Sequence, residues 1–272
     1  AENLKKKFPN RFDFFLNKFS NLNEIINSDI QPRAIIFDLG LSSLQLLDQE
    51  RGFSFESKNS IAMQMGFNKY SAYDVINTLD KKKLAGIIKI LGDEKDGKII
   101  ANKIAKYRIK NRIKTSNELA AIIKEAKKNY NNYKKNSATK TFQAIRIFVN
   151  QELTELISGL VAASKLLLNG GILVVVSFHS IEDKIVKNFF HLYSNLSKNP
   201  SRYLPEQEKK ISFFKILSKK PLIPTSKEIN QNLSSRSAKL RYATRNKNLF
   251  CYPDQIYKKF ENYLKTEAIQ IW

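Results

Sequence analysis

The sequence has few of the residues that form disulfides or metal sites, with one cysteine and two histidines among 272 residues. Cys251 alone excludes an internal disulfide and is typical of a reducing compartment. Together with His179 and His191 it cannot supply the usual set of zinc ligands, so no metal site is predicted. No apolar run is long enough to cross a bilayer, and the polar, basic N-terminus has no signal-peptide pattern. A cytoplasmic location is therefore expected.

Acidic residues are also scarce. Lysine and arginine number 47 against 25 aspartate and glutamate residues, which gives a net charge of +22. This excess favours a polyanionic partner, with nucleic acid as the first candidate. Because lysine spread evenly along a chain is commonly a solvated surface, the charge alone leaves both interpretations open.

An apolar, β-branched run from Gly170 to Ser177 predicts a strand buried on both faces of a parallel sheet. Ser180, with Asp183 three positions later, predicts a capping box at the start of the next helix. Ligands of open α/β sheets bind just outside the carboxyl ends of the strands, so the turn that contains His179 lies where chemistry would occur. The alternative is an ordinary strand-to-helix turn.

Residues 33–38 predict a second strand, which delivers Asp38 to its carboxyl end. Gly40 then permits a tight turn. Asp38 is either a site residue or a turn former, which is a common role of aspartate at such positions. Residues 11–16 predict another short strand, and residues 22–26 predict a helical segment between the two.

Helical periodicity replaces the strand pattern after residue 52. An apolar stripe with helical spacing begins at Leu84, and Thr115 with Glu118 forms a capping-box pattern. This change predicts an all-helical insertion. The predicted regions are a discontinuous core of residues 1–52 and 141–245, an inserted helical domain of residues 53–140, and a tail of residues 246–272 expected to be a surface helix.

Cations cluster in the insertion, and in the tract 124–140 they interleave with Tyr130 and Tyr133. Aromatic rings among cations suit RNA, whose bases stack and whose phosphates attract positive charge. The alternative is an exposed helical face with a flexible polar loop. The candidate RNA-binding residues are Lys103, Lys106, Arg108, Lys110, Arg146, Arg236 and Arg241.

Residues 144–168 predict one long helix with a buried apolar stripe and a second face that carries Arg146 and Asn150. This helix is expected to pack on the sheet, with its start close to the active-site edge. Residues 211–217 and 238–244 predict two late strands that complete the sheet with an antiparallel edge.

Five ordered blocks of the sequence resemble the MraW (RsmH) family, bacterial methyltransferases that modify the N4 amino group of cytosine in small-subunit ribosomal RNA. Blocks of this length in family order are far more specific than a lone glycine motif. They are IIFDLGLSSLQL at 35–46, RGFSF at 51–55, SATKTFQAIRIFVNQEL at 137–153, GGILVVVSFHSIEDKIVK at 170–187 and SSRSAKLR at 234–241.

The resemblance implies a class I, Rossmann-like α/β methyltransferase sheet with an inserted helical domain. It also implies S-adenosylmethionine as the cofactor and the decoding region of 16S rRNA, free or in the 30S particle, as the substrate. By position, Phe19, Asp38 and Gln45 match cofactor contacts. An acceptor that binds the amino hydrogens of cytosine would localise the nitrogen lone pair, and Asp38, Ser42 and His179 remain candidates for that part.

Two departures from the family pattern stand out. A glycine-rich turn and the acidic residue that follows the second strand are absent, and the family's LDMRMD segment reads IAMQMG at residues 61–66. The chain is therefore expected to lack the first two strands of the sheet and to bind the cofactor weakly. The alternative functions are a non-catalytic RNA-binding protein and a DNA amino-methyltransferase.

Overall fold

The computed structural model describes residues 2–27, 29–66, 68–127, 136–194 and 212–271. In chain order the described helices are α1 (Glu2–Lys7), α2 (Leu22–Ile25), α3 (Ser43–Leu47), α4 (Ala72–Thr78), α5 (Lys81–Leu91), α6 (Gly97–Lys110), α7 (Ser116–Ala126), α8 (Thr139–Asn150), α9 (Glu152–Leu166), α10 (Ser180–Leu192), α11 (Ser226–Gln231), α12 (Asp254–Lys259) and α13 (Glu261–Glu267). The strands are β1 (Ala34–Asp38), β2 (Ile172–Ser177), β3 (Phe214–Lys215) and β4 (Lys239–Arg245), and 3₁₀ turns occupy Phe19–Asn21 and Leu233–Ser237.

The described strands form one mixed sheet in the order β1-β2-β4-β3. β1 and β2 are parallel, whereas β4 is antiparallel to both of its neighbours, β2 and β3. The predicted antiparallel edge built from the two late strands is therefore confirmed. α10 follows β2 directly and packs against β2 and β4.

The prediction that β2 is buried on both faces was wrong. Leu173 and Val175 are buried on one face, but Ile172 on the other is 42% exposed, and Ile36 of the neighbouring β1 is 66% exposed. The apolar run is continuous in sequence, yet within the described ranges one face of the sheet remains half-exposed. Hydrophobicity alone does not report whether a helix covers the second face.

Residues 11–16 do not form the predicted strand. They have no regular secondary structure and pair with no strand in the described part of the chain, and Phe14, Phe15 and Leu16 are exposed. An aromatic, alternating hexapeptide has strand propensity, but a strand needs a partner for its backbone hydrogen bonds. The helical segment predicted next to it is present as α2.

The predicted long helix is two helices, because Gln151 adopts a left-handed conformation with φ of 51° and ends α8. The predicted apolar stripe is buried across the break, from Ile145 to Leu160. The break carries neither glycine nor proline, so the sequence offered no stop signal. α9, with 15 residues, is the longest helix among the described residues, and none of those helices is long and apolar enough to span a membrane.

Residues 72–126 contain helices alone, namely α4 to α7, as predicted for the insertion. The stripe that begins at Leu84 is fully buried, and Thr115 with Glu118 forms the predicted capping box. α5 packs against α6 within this block and against α8 of the core. We call α4 to α7 the helical block.

The C-terminal segment is not the surface helix that was predicted. α12 and α13 bury Ile256 and Phe260, and Glu267 is 3% exposed. The Glu267 carboxylate accepts hydrogen bonds from the amides of Leu153 and Thr154 at 3.0 and 2.9 Å, at the start of α9. The tail therefore supplies a cap to a core helix.

Candidate active site

The carboxyl ends of β1 and β2 lie side by side because the two strands are parallel and in register. Asp38 lies opposite Val176, and the Leu39 amide donates to the Val176 carbonyl at 3.1 Å. Gly40 follows with φ of 90°, a left-handed conformation that favours glycine. A Cβ at Gly40 would lie 3.4 Å from the ring of Phe178. The two strand ends therefore form one loop cluster.

His179, and not Ser180, is the N-cap of α10. Its Nδ1 accepts a hydrogen bond from the Glu182 amide at 3.4 Å, while the Glu182 carboxylate accepts from the amides of Phe178 and His179 at 2.9 and 3.2 Å. The capping box thus begins one position before the predicted pair of Ser180 and Asp183. The prediction failed because an imidazole nitrogen accepts the same hydrogen bond as a serine hydroxyl.

Asp183 instead ties α10 to β4. Its carboxylate pairs with Arg241 Nε at 2.7 Å and with Lys239 Nζ at 3.1 Å. Burial by itself would raise the pKa of Asp183, but the hydrogen bonds from Arg241 and Lys239 outweigh it and lower the pKa. Arg241, which was predicted to bind RNA, therefore has a protein partner.

A buried network of charges lies beneath the loop cluster. Arg146 donates to both oxygens of Glu152, at 2.7 and 2.8 Å, because the break at Gln151 turns Glu152 back toward it. Burial opposes the charge of Arg146, but Glu152 outweighs it and raises the pKa of Arg146. Burial likewise opposes the ionisation of Glu182, yet the adjacent His179 and Arg146 lower its pKa.

Three members of this network have the spacing of metal ligands. Atoms of Glu152, His179 and Glu182 lie within 4.8 Å of one another. Arg146 already neutralises Glu152 in a bidentate pair, which is the arrangement of a buried salt bridge. The network therefore has a sufficient structural explanation in its own charges.

A cavity of about 430 Å³ opens beside this network at the carboxyl end of β1, and we call it the strand-end cavity. Its walls come from the residues before α2, from β1 and from the first turn of α9. The lining includes Phe19, Ile36, Asp38, Gly40, Asn150, Glu152, Glu155 and Glu182. Two of the three predicted cofactor residues, Phe19 and Asp38, thus lie in the same cavity.

Gln45, the third predicted cofactor residue, does not line the strand-end cavity. Its Oε1 accepts a hydrogen bond from the Ser42 amide at 2.9 Å, and the Ser42 hydroxyl accepts from the Gln45 amide at 3.2 Å. The two residues form the capping box of α3. The sequence pattern S-x-x-Q permits this capping role, which accounts for both polar side chains.

Phe19 reaches the strand-end cavity because Gly159 of α9 leaves room for it. A Cβ at Gly159 would lie 2.4 Å from the Phe19 ring. On its other side the Phe19 ring packs against Phe37 of β1, with ring centroids 5.3 Å apart. The aromatic wall of the cavity is therefore held by a core strand and a core helix.

Glu155, which was not predicted from the sequence, is the most informative polar residue of the strand-end cavity. Its Oε1 accepts from Lys18 Nζ at 3.1 Å, whereas its Oε2 is buried and has no hydrogen-bond partner among the residues that the structure describes. A signal was present, since Glu152 and Glu155 are acidic residues three apart within an apolar helix. Treating residues 144–168 as one helix concealed that they belong to the first turn of a new helix.

Two openings adjoin the other side of the loop cluster. The larger, of about 990 Å³, separates the helical block from β4, and we call it the cleft. Its walls include Glu94, Lys127, Lys140, Gln143, Phe178, His179, Arg236 and Lys239. The smaller, of about 220 Å³, we call the aromatic pocket, and its lining includes Leu41, Phe53, Phe55, Phe142, Gln143, Arg146, Phe178 and His179.

Several predicted RNA-binding cations are bonded to the protein. Arg108 donates to the carbonyls of Ile76 and Leu79, both at 2.6 Å, at the end of α4. A cation at this position also interacts favourably with the helix dipole. Lys103 pairs with Glu125 at 2.6 Å.

The remaining predicted cations are available to a ligand. The side chains of Lys106, Lys110 and Arg236 are exposed, and they make no hydrogen bond or ion pair with any described residue. Arg236 lines the cleft, whereas Lys106 and Lys110 lie on α6. Tyr130 and Tyr133 lie outside the described residues.

Parallel strands that end at a ligand-sized cavity, followed by an antiparallel edge and flanked by helices, define the class I S-adenosylmethionine-dependent methyltransferase fold. The chain belongs to the MraW methylase family, whose sequence model matches residues 1–246. It is thus a methyltransferase enzyme.

Curated relatives share this similarity across most of the chain. A protein of Ehrlichia ruminantium (strain Welgevonden) called "Ribosomal RNA small subunit methyltransferase H" is 40% identical over 245 residues, which cover 88% of this chain and 79% of the relative. Proteins of the same name from Afipia carboxidovorans and Persephonella marina are each 41% identical. Their alignments cover 91% and 90% of this chain and 74% and 80% of the relatives, respectively.

Proposed function

We propose that this enzyme transfers a methyl group from S-adenosylmethionine to the N4 amino group of a cytosine in the decoding region of bacterial small-subunit rRNA. The relatives' name supports the substrate class. The observation that carries the proposal is the pair of cavities that meet at the loop cluster: Gly40 lines the strand-end cavity, and its neighbour Leu41 lines the aromatic pocket. An rRNA substrate is consistent with the expected cytoplasmic location.

The strand-end cavity has the chemistry expected of a cofactor site. Its volume of about 430 Å³ lies within the usual range for such sites. Phe19 offers a face for the adenine, and the unsatisfied Oε2 of Glu155 offers an acceptor for a ribose hydroxyl or the amino group. When bound there, S-adenosylmethionine would supply an activated methyl group on a sulfonium.

The aromatic pocket suits a base that has left its stack. Phe53, Phe55 and Phe178 give it apolar walls, and Gln143 with His179 adds polar groups at one side. Enzymes that modify a base of a nucleic acid take it out of its stack, hold it between aromatic or apolar side chains, and form hydrogen bonds with its polar edge. A cytosine in this pocket would direct its amino group toward the loop cluster.

Of the three candidate catalytic groups, Asp38 has an uncommitted acceptor. The Ser42 hydroxyl caps α3, and His179 Nδ1 caps α10. The Asp38 side chain makes no hydrogen bond or ion pair with any described residue. Its carboxylate can therefore accept a hydrogen bond from the cytosine amine and take up the proton that the nitrogen releases on methylation.

His179 then acts as a positioning residue. Its capping bond and its contact with Glu182, where Nε2 lies 3.2 Å from Oε1, fix the turn after β2. The preceding residue of that turn, Phe178, lies against Gly40 of the loop after β1. The small-subunit particle would contact the exposed cations, of which Arg236 borders the cleft and Lys106 and Lys110 lie on the helical block.

Turnover by an Asp38→Asn variant tests this assignment. Methyl transfer to small-subunit RNA, followed by mass spectrometry of the digested nucleosides, should yield N4-methylcytidine with wild-type enzyme. The variant should lose about 100-fold or more in kcat, with little change in S-adenosylmethionine affinity. Asp48→Asn is a matched control, because Asp48 pairs with Arg51 outside the three cavities.

Two results would contradict the proposal. Methylation of DNA in preference to RNA would identify a DNA amino-methyltransferase. Lost cofactor affinity with unchanged kcat would make Asp38 a cofactor contact and remove it from the reaction.

A further inference from the structure

A separate basic pocket of about 270 Å³ lies between the second half of α10, the middle of β4 and the residues after β3. Its lining includes Lys187, His191, Lys219, Arg241 and Tyr242, and it contains no carboxylate among the residues described. It shares no lining residue with the strand-end cavity, the cleft or the aromatic pocket. We call it the basic pocket.

Of the three lysine and arginine side chains that line the basic pocket, two are not neutralised by the described parts of the protein. The side chains of Lys187 and Lys219 are exposed and form no hydrogen bond or ion pair with any described residue. Arg241 fixes one wall, since it binds Asp183 at 2.7 Å and donates to the Lys219 carbonyl at 3.1 Å. Lys239 shares the same aspartate, so two cations face one carboxylate there.

Two elements, β4 and α10, contribute residues both to the cleft and to the basic pocket. On β4, Lys239 lines the cleft, and Arg241, two residues further and on the same side of the strand, lines the basic pocket. On α10, Ser180 lines the cleft, and Lys187 and His191 line the basic pocket. With a rise of about 1.5 Å per residue, these positions lie roughly 10 to 17 Å apart.

That distance sets the length of nucleic acid needed to reach from one site to the other. A stacked strand advances about 3.4 Å per nucleotide, so roughly three to five nucleotides connect the cleft to the basic pocket. Uncommitted lysines around a concave surface suit a phosphate, which they recognise by charge and without base specificity.

We propose that the basic pocket binds a backbone phosphate of the RNA strand roughly three to five nucleotides away from the target base. This inference rests on the proposed function, because it takes the cleft as the entrance for the modified nucleotide. The pocket would anchor the flanking strand and so help to hold the target in register.

A double variant, Lys187→Ala with Lys219→Ala, tests the proposal. Its charge-matched control is Lys258→Ala with Lys259→Ala, a pair of exposed lysines on α12 that do not line the basic pocket. Two RNAs are compared: a short one with the target cytosine and one neighbour on each side, and a long one with six further nucleotides on each side. Binding is measured over a series of salt concentrations, together with kcat.

The double variant should bind the long RNA about tenfold more weakly than wild type. The magnitude of the slope of log affinity against log salt should fall by about 1 to 2. The affinity of the double variant for the short RNA and its kcat should match those of wild type. The control variant should bind the long RNA with an affinity much closer to that of wild type. Because both lysines are exposed, the melting temperature should stay within a few degrees of wild type, which verifies folding.

The two failures are distinguishable. If wild-type enzyme methylates the RNA but the double variant binds the long RNA as the control does, the basic pocket is not a phosphate site and the proposed function stands. If wild-type enzyme methylates neither RNA nor small-subunit particles, the proposed function is wrong, and the assignment of the basic pocket falls with it.

Discussion

Two carboxylates at the first turn of α9 differ in what they bind. Both oxygens of Glu267 accept hydrogen bonds, from the amides of Leu153 and Thr154 and from the Thr154 hydroxyl. Glu155 uses one oxygen for Lys18 and leaves the other buried without a partner among the described residues. A fully satisfied carboxylate holds the fold together, whereas we propose that Glu155, which lines the strand-end cavity and has an unpaired oxygen, contributes to ligand binding.

The same contrast separates the cations of α6. The guanidinium of Arg108 donates hydrogen bonds to two carbonyls at the end of α4, while Lys106, two positions earlier, is exposed to solvent. Both belong to one basic run in the sequence. Charge in a sequence therefore indicates a function only after the partners of each group are known.

The largest expected effect is on the pH dependence of the unfolding free energy, to which Glu267 contributes. Burial raises the pKa of Glu267 to about 7, although the bonds from Thr154 and Leu153 act in the opposite direction. The folded state then retains a proton that the unfolded state releases near pH 4.5. The stabilising contribution is present below that pH and is lost as pH rises through about 7, a change on the order of 3 kcal/mol.

Urea unfolding of wild type and Glu267→Gln between pH 4.5 and 8 measures this change. The glutamine is neutral throughout, so the difference in unfolding free energy between the two proteins should shift against wild type by about 3 kcal/mol across the range. Glu261→Gln, an exposed position on the same helix, should follow wild type. A difference independent of pH would show that Glu267 is ionised throughout.

A smaller effect is expected at Arg108, where the matched pair of variants is Arg108→Ala and Lys106→Ala. Removing Arg108 should lower the unfolding free energy by about 1.5 to 3 kcal/mol, because two backbone acceptors lose a charged donor. Removing Lys106 should change it by less than about 0.5 kcal/mol. Chemical denaturation measures both.

The order of the two variants should be reversed for RNA binding, where Lys106→Ala is expected to have the larger effect. Lys106→Ala should reduce the salt dependence of binding by about one counterion if the helical block contacts RNA, and it should leave folding intact. Equal loss of stability in both variants would contradict the division between structural and available cations. An unchanged salt slope for Lys106→Ala would limit RNA contact to other surfaces.

The sequence predicted the parts of this site that depend on local pattern. Two parallel strands ending at Asp38 and at the His179 turn, and Phe19 beside Asp38, follow from hydrophobic runs and from family resemblance. Glu155 could not be found in this way, because its importance depends on a helix break at Gln151 that has no glycine or proline signal. The cofactor role of Gln45 remains a prediction, because the pattern S-x-x-Q fits both a capping box and a cofactor contact, and in the structure Gln45 caps α3.

The tail shows the same limit. Nothing in residues 246–272 marks Glu267 as the cap of a helix that begins more than a hundred positions earlier. Tertiary contacts of this kind leave no periodicity in the sequence. The positions of the domain boundaries at residues 52, 140 and 245 remain predictions.

Calorimetric binding of S-adenosylmethionine to wild type and to Glu155→Gln tests the central contrast most directly. Glutamine keeps an acceptor for Lys18 but replaces the unsatisfied oxygen with a donor, so it cannot accept a hydrogen bond from the cofactor. Affinity should fall about 10- to 100-fold with no loss of thermal stability, while Glu261→Gln binds as wild type does. Equal affinity for wild type and Glu155→Gln would contradict the assignment of the strand-end cavity as the cofactor site.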